Sequence, residues 1–205
     1  MDIKELLLQS QIGTVDGISL QDPKKLSQWL TIGENIYPRD TGSIFTGNVG
    51  SIDVIIKTDY DYHCLRYEYL VGLEVNKLES PNFIKTFALF LMTNPEKGYI
   101  PYLVLEKVRG IAFRDFKAKF DHLNNIALQL ALALQHAQDL IDFTHYDLHL
   151  ENVMYVALPQ QTSLQYKIRE KIYTIETDYI LKIIGLKSGG NYCETSITEI
   201  FRHLI

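Results

Sequence analysis

Apolar residues recur with two different periods along the chain, and the change of period divides the chain into two halves. In the first half, runs with a period of two predict β-strands with one helix between them. In the second half, apolar residues every three to four positions over residues 124–143 predict a long core helix. The predicted helices cover residues 4–9, 24–30, 63–78 and 124–143, with one more near 195–204, and the predicted strands cover residues 43–46, 52–57, 83–91, 99–108, 153–156 and 179–184.

Two segments between these elements carry turn or strand signals of their own. Residues 47–51 place glycine and asparagine between two strands, so we expect a β-hairpin there. Residues 159–178 are polar overall, but aromatic and aliphatic residues alternate with basic ones around Tyr166 and Tyr173, which predicts an extra hairpin. Such alternation occurs in nucleic-acid-binding segments, although a solvated edge strand is the commoner explanation.

Charge and composition exclude several classes of function. The chain has 205 residues, with 25 acidic and 20 basic side chains and a formal net charge of −5, so no positive field attracts nucleic acid. No apolar run approaches the roughly 18 residues that span a bilayer, and no signal peptide precedes the first helix. Cys64 and Cys193 are too few and too far apart for a disulfide framework or a zinc site. We therefore expect an intracellular, cytoplasmic protein without a nucleic-acid or membrane partner.

The most specific motif lies between the core helix and the following strand. Four residues of this loop fall in the pattern H-x-D-L-x-x-x-N, namely His145, Asp147, Leu148 and Asn152. A polar helix-to-strand loop with an Asx turn is the plainer explanation of these residues. The pattern resembles the catalytic loop of the protein-kinase superfamily. That resemblance implies that His145 belongs to the catalytic loop, that Asp147 is the catalytic base and that Asn152 binds Mg²⁺ held on the nucleotide phosphates.

A lysine and a glutamate upstream follow the order that the same superfamily requires. The strand that ends at Lys57 resembles the V-A-I-K strand, whose lysine holds the α- and β-phosphates of ATP. Glu68 in the next predicted helix is implied as the carboxylate that positions Lys57, and Glu74 is a competing choice. Without the resemblance, Lys57 is a solvated lysine at a strand end and both glutamates lie on a solvated helix face.

The segment 102–110 resembles the hinge that joins the two lobes of a protein kinase. By this resemblance Leu105 is the gatekeeper, and the backbones of Glu106 and Val108 bind adenine. An exposed edge segment with a turn at Gly110 is the alternative. Upstream of it, residues 80–84 resemble the P-N-I-V turn of the same superfamily.

The resemblance covers residues 42–184 and implies an α+β, two-lobed protein-kinase-like fold. The N-terminal lobe would take about residues 1–105, and an incomplete C-terminal lobe about residues 106–205. ATP and Mg²⁺ are the implied cofactors, with nucleotide in the cleft. The helix with Glu68 and the turn with Pro81 are also similar to kinase-like proteins of large DNA viruses, which would place the chain in the cytoplasm of a host cell.

Two departures concern the phosphate-binding loop and the acceptor. Gly42 is the implied phosphate-loop glycine, but it lies only 15 residues before Lys57, and Gly47 and Gly50 are expected to turn the hairpin. The loop is therefore expected to be degenerate and to lie near Gly33 or Gly42. His149 gives the catalytic loop the D-L-H form of haspin-type and aminoglycoside-phosphotransferase-like kinases. It is expected either to contact the transferring phosphoryl group or only to pack.

The third departure is the absence of a metal-binding carboxylate after the strand 179–184. This strand leads into Gly185 rather than into D-F-G, and no A-P-E anchor follows. We expect a chain truncated after the D-F-G position, with residues 185–205 unrelated to kinases and an exposed apolar face on the core helix.

Three functions remain open at this point. The first is serine/threonine-protein-kinase-like transfer of the ATP γ-phosphoryl group to a hydroxyl, with an unidentified protein as substrate. The second is a non-catalytic pseudokinase that binds a partner, and the third is a small-molecule phosphotransferase, suggested by His149.

Overall fold

The computed structural model describes residues 3–38, 42–117 and 122–186. Within them the chain divides into two compact units. The first unit contains the described residues up to Leu73 together with Lys85–Lys107, and the second contains Glu74–Ile84 together with the described residues from Val108 onward. No helix among these residues is long and apolar enough to cross a membrane.

The first unit is built on a seven-stranded sheet in the order β1-β2-β6-β7-β5-β4-β3. All neighbouring strands are antiparallel except β2 and β6, which are parallel. The strands are β1 (Gln11–Val15), β2 (Ile18–Gln21), β3 (Leu30–Pro38), β4 (Gly42–Val49), β5 (Ile52–Asp59), β6 (Thr86–Asn94) and β7 (Gly98–Glu106). Helices α1 (Ile3–Ser10) and α2 (Pro23–Leu26) belong to this unit, and α3 (Tyr62–Asn76) follows β5.

The first unit has a continuous apolar core between α1, α2 and the sheet. Phe90 and Tyr102 stack within it, with ring centroids 5.4 Å apart. Its buried members are Ile3, Leu7, Leu26, Leu30, Val49, Val54, Ile56, Ala88, Phe90 and Val104. Because these residues come from both helices and five strands, tertiary packing rather than local propensity holds the sheet together.

The structure corrects the prediction for residues 1–40. The helix at 4–9 is confirmed as α1, but the helix predicted around 24–30 is wrong after Leu26, and β1 and β2 were not predicted. The side chain of Asp22 accepts the N–H groups of Lys24 and Lys25 and so begins α2. From Leu30 onward the chain is a strand, because Leu30 pairs with Val49 of β4.

The predicted hairpin of the first unit is confirmed as β4 and β5, with a shorter turn than expected. Gly47 lies inside β4, and only Gly50 and Ser51 separate the strands. Gly50 has a φ of 58°, a conformation that glycine adopts without strain.

The second unit combines α4 (Leu123–Ile141) with a three-stranded sheet. Its strands are β8 (Ile111–Ala112), β9 (Val153–Ile168) and β10 (Lys171–Ile183) in the order β10-β9-β8. The predicted core helix is confirmed, and so is the extra hairpin. The short strand expected at 153–156 and the strand expected at 179–184 are the base of this hairpin, which continues to a turn at Arg169 and Glu170.

The hairpin β9–β10 packs on α4 and buries most of the apolar face of that helix. The buried helix residues include Ile126, Leu130 and Ala137. The predicted exposed apolar face is seen among the described residues only at Leu128 and Leu140, whose exposed fractions are 51% and 57%. The helix predicted near 195–204 lies outside the described residues.

A buried polar network joins the segment after α3 to α4 and the hairpin. Asn82 donates from Nδ2 to Leu181 O (2.8 Å) and to Gln129 Oε1 (3.3 Å), and its Oδ1 accepts the Tyr166 hydroxyl (2.8 Å). Gln129 Oε1 also accepts the Leu181 N–H (3.0 Å), and its Nε2 donates to Thr177 Oγ1 (3.2 Å). Asn82 and Gln129 are almost completely buried, so these partners replace water.

Candidate functional site

Lys57 and Glu68 form a buried ion pair in the first unit. Lys57 lies on β5, a strand with neighbours on both sides, and its Nζ is 2.5 Å from Glu68 Oε2. The two side chains are 11% and 5% exposed. Helix α3 carries Glu68, and Gly72 on the same helix allows close packing, because a Cβ there would clash with Thr86 of β6. Of the two glutamates that the sequence offered, the structure brings Glu68 to Lys57.

Glu74 has a different partner. Its carboxylate is 2.6 Å from Lys77 Nζ, and both side chains are more than half exposed. An exposed pair at this helical spacing contributes only a few tenths of a kcal/mol. Glu74 is therefore a surface residue.

The predicted hinge residues lie at the end of β7 and just beyond it. Leu105 is buried and pairs with Ile55 of β5. The Glu106 N–H donates to Lys85 O at 2.9 Å, so an adenine hydrogen bond from this residue would have to use its carbonyl. Val108 belongs to the second unit, is half-buried and lies outside any strand. Adenine binding by these residues stays a prediction.

Gly33 and Gly42, near which the phosphate loop was predicted, both lie in β-strands. Gly42 is the first residue of β4, and a Cβ there would clash with Thr58 O on β5. The close approach of these two strands is thus sufficient reason for a glycine. Gly33 lies within β3, and residues 39–41, which connect β3 to β4, lie outside the described residues.

His145 anchors the loop that carries the kinase-like motif. Helix α4 ends at Asp142, which is left-handed with a φ of 53°, and the loop follows. His145 Nε2 is 3.1 Å from Ile184 O, and its Nδ1 accepts the Asp147 N–H at 3.3 Å. Burial lowers the pKa of His145 below its ordinary value, so the ring is neutral and carries its proton on Nε2. It therefore ties the backbone of Asp147 to the end of β10.

The pH dependence of stability should report on this neutral imidazole. Because its pKa is lower folded than unfolded, the neutral ring contributes full stability above the ordinary value of 6.5, and this contribution is lost as the pH falls below it. We expect His145→Gln to reduce the acid-side slope of stability between about pH 7 and 5 by at most ~1.4 kcal/mol per pH unit. Thermal melts across this range measure the slope.

His63→Gln is the matched control because His63 is exposed on α3. This variant is expected to keep the slope of the wild-type chain. An unchanged slope in His145→Gln would contradict the assignment of a neutral, half-buried ring.

Asp147, His149 and Asn152 come together in the second unit. Asn152 Nδ2 donates to Asp147 O at 2.7 Å and lies 3.0 Å from His149 Nε2. His149 Nε2 is 3.8 Å from Asp147 Oδ1, and both side chains are about one-third exposed. Hydrogen bonds at the N–H and at the carbonyl of Asp147 thus fix its backbone. Its carboxylate is about one-third exposed and is accessible to a substrate. Its predicted role as a base is not tested by this geometry.

Two further contacts complete this loop. His149 Nδ1 accepts the Glu151 N–H at 3.3 Å and so begins the 3₁₀ helix Leu150–Asn152. Arg114 forms an exposed salt bridge with Glu151. His149 is therefore seen as the cap of this short helix, and a role at the phosphoryl group stays a prediction.

Gly185 lies two residues after the end of β10, where the resemblance to kinases implies a metal-binding carboxylate. It has a φ of 66°, and a Cβ there would lie 2.5 Å from Asn152 Oδ1 and 2.8 Å from Asn152 Cγ. The next residue, Leu186, is buried. The side-chain amide of Asn152 therefore fills the space that a residue with a side chain would need at position 185.

The residues present do not fit the Mg²⁺ that the resemblance implies. Mg²⁺ requires oxygen ligands in near-octahedral geometry. Gly185 offers no side-chain oxygen, and Asn152 Oδ1 lies beside it. In the described part of the chain, no group of three or more His, Cys, Asp or Glu residues could hold a metal ion. Metal binding by Asn152 stays a prediction.

A separate pocket of about 360 Å³ lies in the second unit, between the start of α4 and the hairpin. Its lining residues are His122, Asn125, Gln161, Glu176, Thr177, Asp178 and Tyr179. None of the predicted site residues lines it. Its residues come from separate segments of the chain and match no motif, so no sequence pattern indicated this pocket.

Comparisons with known proteins identify relatives among kinases. No model of a known protein family matches the chain. The chain is 30% identical over 151 residues to the probable kinase 098L of Invertebrate iridescent virus 3, a match that covers 67% of this chain and 28% of that protein. The crystal structure of Rad53 residues 1–466 in complex with AMP-PNP matches with a TM-score of 0.55 and 16% identity, over 78% of this chain and 40% of that one. The MAP kinase LmaMPK10 of Leishmania major matches with a TM-score of 0.47 and 18% identity, over 64% of this chain and 45% of that one.

The chain is a member of the protein-kinase-like superfamily, with an α+β fold that resembles the N-terminal lobe and part of the C-terminal lobe of a kinase. Its similarity in sequence is to a viral probable kinase, and it spans less than a third of the length of that relative. The predicted superfamily and fold class are confirmed.

Two features of the site were not found from the sequence. The contact between Gly185 and Asn152 joins residues 33 positions apart, and only the missing carboxylate hinted at it. The salt bridge between Arg114 and Glu151 also had no signal, because charged residues at such separations meet only in the folded chain.

Proposed function

We propose that this chain is a nucleotide-binding module of protein-kinase-like fold that takes ATP, with Lys57 holding the α- and β-phosphates. The buried ion pair of Lys57 and Glu68 is the observation that carries this proposal. An apolar pair of similar volume would stabilise a protein core as well or better. A buried ammonium held by a carboxylate is therefore better explained by a use for its charge, and phosphate binding is the use that the superfamily suggests.

The adenine end of the nucleotide would be held by the segment at the end of β7. Leu105 would contact the base, and the Glu106 carbonyl and the Val108 backbone would hydrogen-bond it. The position of Leu105 between β5 and β6 supports this part of the proposal, because it fixes the side chain in the sheet that also carries Lys57. Gly42, the first residue of β4, would contribute at the phosphate end.

Phosphoryl transfer is the second candidate function, favoured by the accessible and anchored carboxylate of Asp147. In that reaction a hydroxyl oxygen of the acceptor bonds to the γ-phosphorus, its proton passes to Asp147, and the bond to the β-phosphate oxygen breaks to release ADP. His149 would contact the transferring group. The acceptor would be a serine or threonine hydroxyl of a protein or the hydroxyl of a small molecule.

Gly185 favours binding without efficient transfer. Electrostatic stabilisation of the phosphoryl oxygens supplies most of the catalysis in this type of reaction, and a missing carboxylate removes part of it. A pseudokinase that binds nucleotide and an unidentified protein partner is therefore our first reading. The similarity to a viral probable kinase and the AMP-PNP complex of Rad53 support nucleotide binding, and the two distant cysteines favour an intracellular setting.

Thermal melts of the chain with ATP or AMP-PNP test the proposal. A ligand that binds only the folded chain raises the melting temperature, with about 2.7 kcal/mol of added stability at 100 times its Kd. We expect ATP and AMP-PNP to raise the melting temperature to similar extents, and Asp147→Asn to keep the increase. No increase with either nucleotide would contradict the proposed function.

Transfer is measured separately, with γ-labelled ATP and mixed protein or small-molecule acceptors. Label incorporation that disappears in Asp147→Asn would establish the second candidate. Nucleotide binding without any incorporation would leave the pseudokinase as the function.

A further inference from the structure

We propose that the tip of the hairpin β9–β10 binds an extended, acidic segment of a partner protein as an added β-strand. The binding surface, called the tip edge below, is the side of residues 171–174 of β10 that faces away from β9. These residues are not among those proposed to hold nucleotide. The inference therefore goes beyond the proposed function and is tested without nucleotide.

Within the described residues, strand β10 has one edge without a neighbouring strand, because it is the last strand of its sheet. Side chains of α4 fill this edge along the base of the hairpin. Asn125 Nδ2 donates to Glu176 O at 3.0 Å. Gln129 accepts the Leu181 N–H at 3.0 Å and donates to Tyr179 O at 3.2 Å. From Glu176 onward, backbone groups of this edge thus have partners on the helix.

The helix crosses the hairpin and leaves the tip edge open. Nδ1 of His136, further along α4, lies 2.6 Å from Lys167 O of β9. Near the tip the helix therefore lies beside β9, whereas the start of the helix lies beside β10.

The two-residue turn decides which backbone groups point outwards at the tip. Ile168 and Lys171 flank the turn and pair with each other, and in such hairpins this pair exchanges hydrogen bonds. Because hydrogen-bonded and non-hydrogen-bonded pairs alternate along the ladder, Ile172 and Thr174 direct their N–H and C=O groups away from β9. In the described part of the chain these groups have no side-chain partner. A partner strand would bond to them.

The side chains of the tip edge also favour pairing with a strand. Ile172 is 67% exposed and Tyr173 is 42% exposed, whereas Tyr166, the cross-strand partner of Tyr173, is buried. β-Branched and aromatic side chains stabilise paired strands by packing across them. An edge protected by charge alone would have polar residues beside Lys171, so Ile172 and Tyr173 are better explained by a strand that covers them.

Charge determines which segment fits this edge. Residues 167–171 carry three basic side chains, Lys167, Arg169 and Lys171, against the single acidic Glu170, on a chain whose net charge is −5. None of the three forms a salt bridge within the described residues. Opposite charges steer association and suppress wrong partners, so a segment rich in aspartate and glutamate is favoured.

The same charges would attract nucleic acid, but the other features of the tip edge favour a protein. The open N–H and C=O groups of Ile172 and Thr174 match a peptide backbone. Ile172 offers no ring on which a base could stack. We therefore assign the tip edge to an acidic protein segment.

A soluble peptide in which glutamate alternates with valine is the probe, added to the ¹⁵N-labelled full chain and followed by NMR. We expect saturating shifts of amide signals at the hairpin tip, with a Kd below about 1 mM that weakens about tenfold when NaCl rises from about 50 to 500 mM. A peptide with lysine in place of every glutamate should bind at least about tenfold more weakly. No saturation with the glutamate peptide, or equal binding of both peptides, would overturn the proposal.

Thr174→Pro tests the backbone pairing, and Thr174→Val is its matched control. Proline removes the outward N–H but no hydrogen bond to β9, whereas valine keeps the N–H and the branched shape. We expect Thr174→Pro to weaken peptide binding at least about tenfold and Thr174→Val to change it less than about twofold. Equal affinities of these two variants would overturn pairing at the tip edge.

The double variant Lys167→Glu/Lys171→Glu tests the charge without touching the backbone, so the test holds even if proline disturbs the tip. We expect it to prefer the lysine peptide over the glutamate peptide. An unchanged preference for the glutamate peptide would overturn the acidic partner.

A competition experiment separates the remaining outcomes. We expect a short deoxythymidine oligomer not to displace the glutamate peptide. Displacement, with binding of the oligomer unchanged in Thr174→Pro, would assign the tip to nucleic acid and overturn the proposal. Intact peptide binding by a chain that binds no ATP would contradict only the proposed function.

Discussion

Replacing Lys57 with methionine is expected to lower the free energy of unfolding by about 3–5 kcal/mol, because it leaves the Glu68 carboxylate buried without a partner. Methionine has a similar length and fills the space of the lysine stem, so loss of packing contributes little. Urea unfolding of the variant and the wild-type chain measures this difference. The same variant is expected to lose the increase in melting temperature that ATP produces.

The double variant Lys57→Met/Glu68→Leu separates stability from nucleotide binding. Replacing both members of a buried ion pair with apolar residues is commonly neutral or stabilising, so we expect this variant to regain most of the lost stability. It still lacks the ammonium, so the effect of ATP should stay absent. An ATP effect that returns with the stability would show that Lys57 acts only in folding.

Replacing Gln129 with leucine is expected to cost about 2–5 kcal/mol of unfolding free energy. The leucine keeps most of the volume but removes the oxygen that accepts the Leu181 N–H and the nitrogen that donates to Thr177 and Tyr179. Each buried polar group left without a partner costs about 1–3 kcal/mol. The second unit should therefore lose stability, and the midpoint of urea unfolding measures the loss.

Gln135→Leu is the matched control, on the same helix and with the same change of side chain. Gln135 is exposed, and its Nε2 donates to Asp139 Oδ1 on the surface of the helix, so the change should stay within about 0.5 kcal/mol. A similar loss in both variants would mean that leucine weakens α4 itself and that the buried network contributes little.

The hairpin β9–β10 explains how α4 is buried in this chain. Leu164, Tyr166, Ile175, Tyr179 and Leu181 are buried along its two strands. Tyr166 adds a hydrogen bond to Asn82, and burial raises the pKa of the Tyr179 hydroxyl to about 12, so that group is neutral at ordinary pH. The hairpin, whose residues 159–178 are polar overall in sequence, therefore contributes both buried apolar side chains and hydrogen-bonded polar groups to the core.

Local patterns were enough to determine several elements of this protein. The helical spacing over α4, the alternation of β4 and β5 and the alternation at the tip of the hairpin each depend on residues within one element. The residues of the kinase-like loop lie within eight positions, so the chain itself holds Asp147, His149 and Asn152 close together. The resemblance to kinases could be recognised for the same reason.

Tertiary structure alone decided what depends on pairing between distant segments. The apolar spacing of Leu26 and Leu30 suits a helix, but Leu30 is in β3 because the edge of β4 offers backbone hydrogen bonds that a four-residue extension of α2 could not match. Glu68 rather than Glu74 meets Lys57 because the packing of α3 on the sheet selects one face of that helix. The contact of Gly185 with Asn152 arises where the end of β10 meets the loop after α4, and no sequence pattern encodes a distance between two such ends.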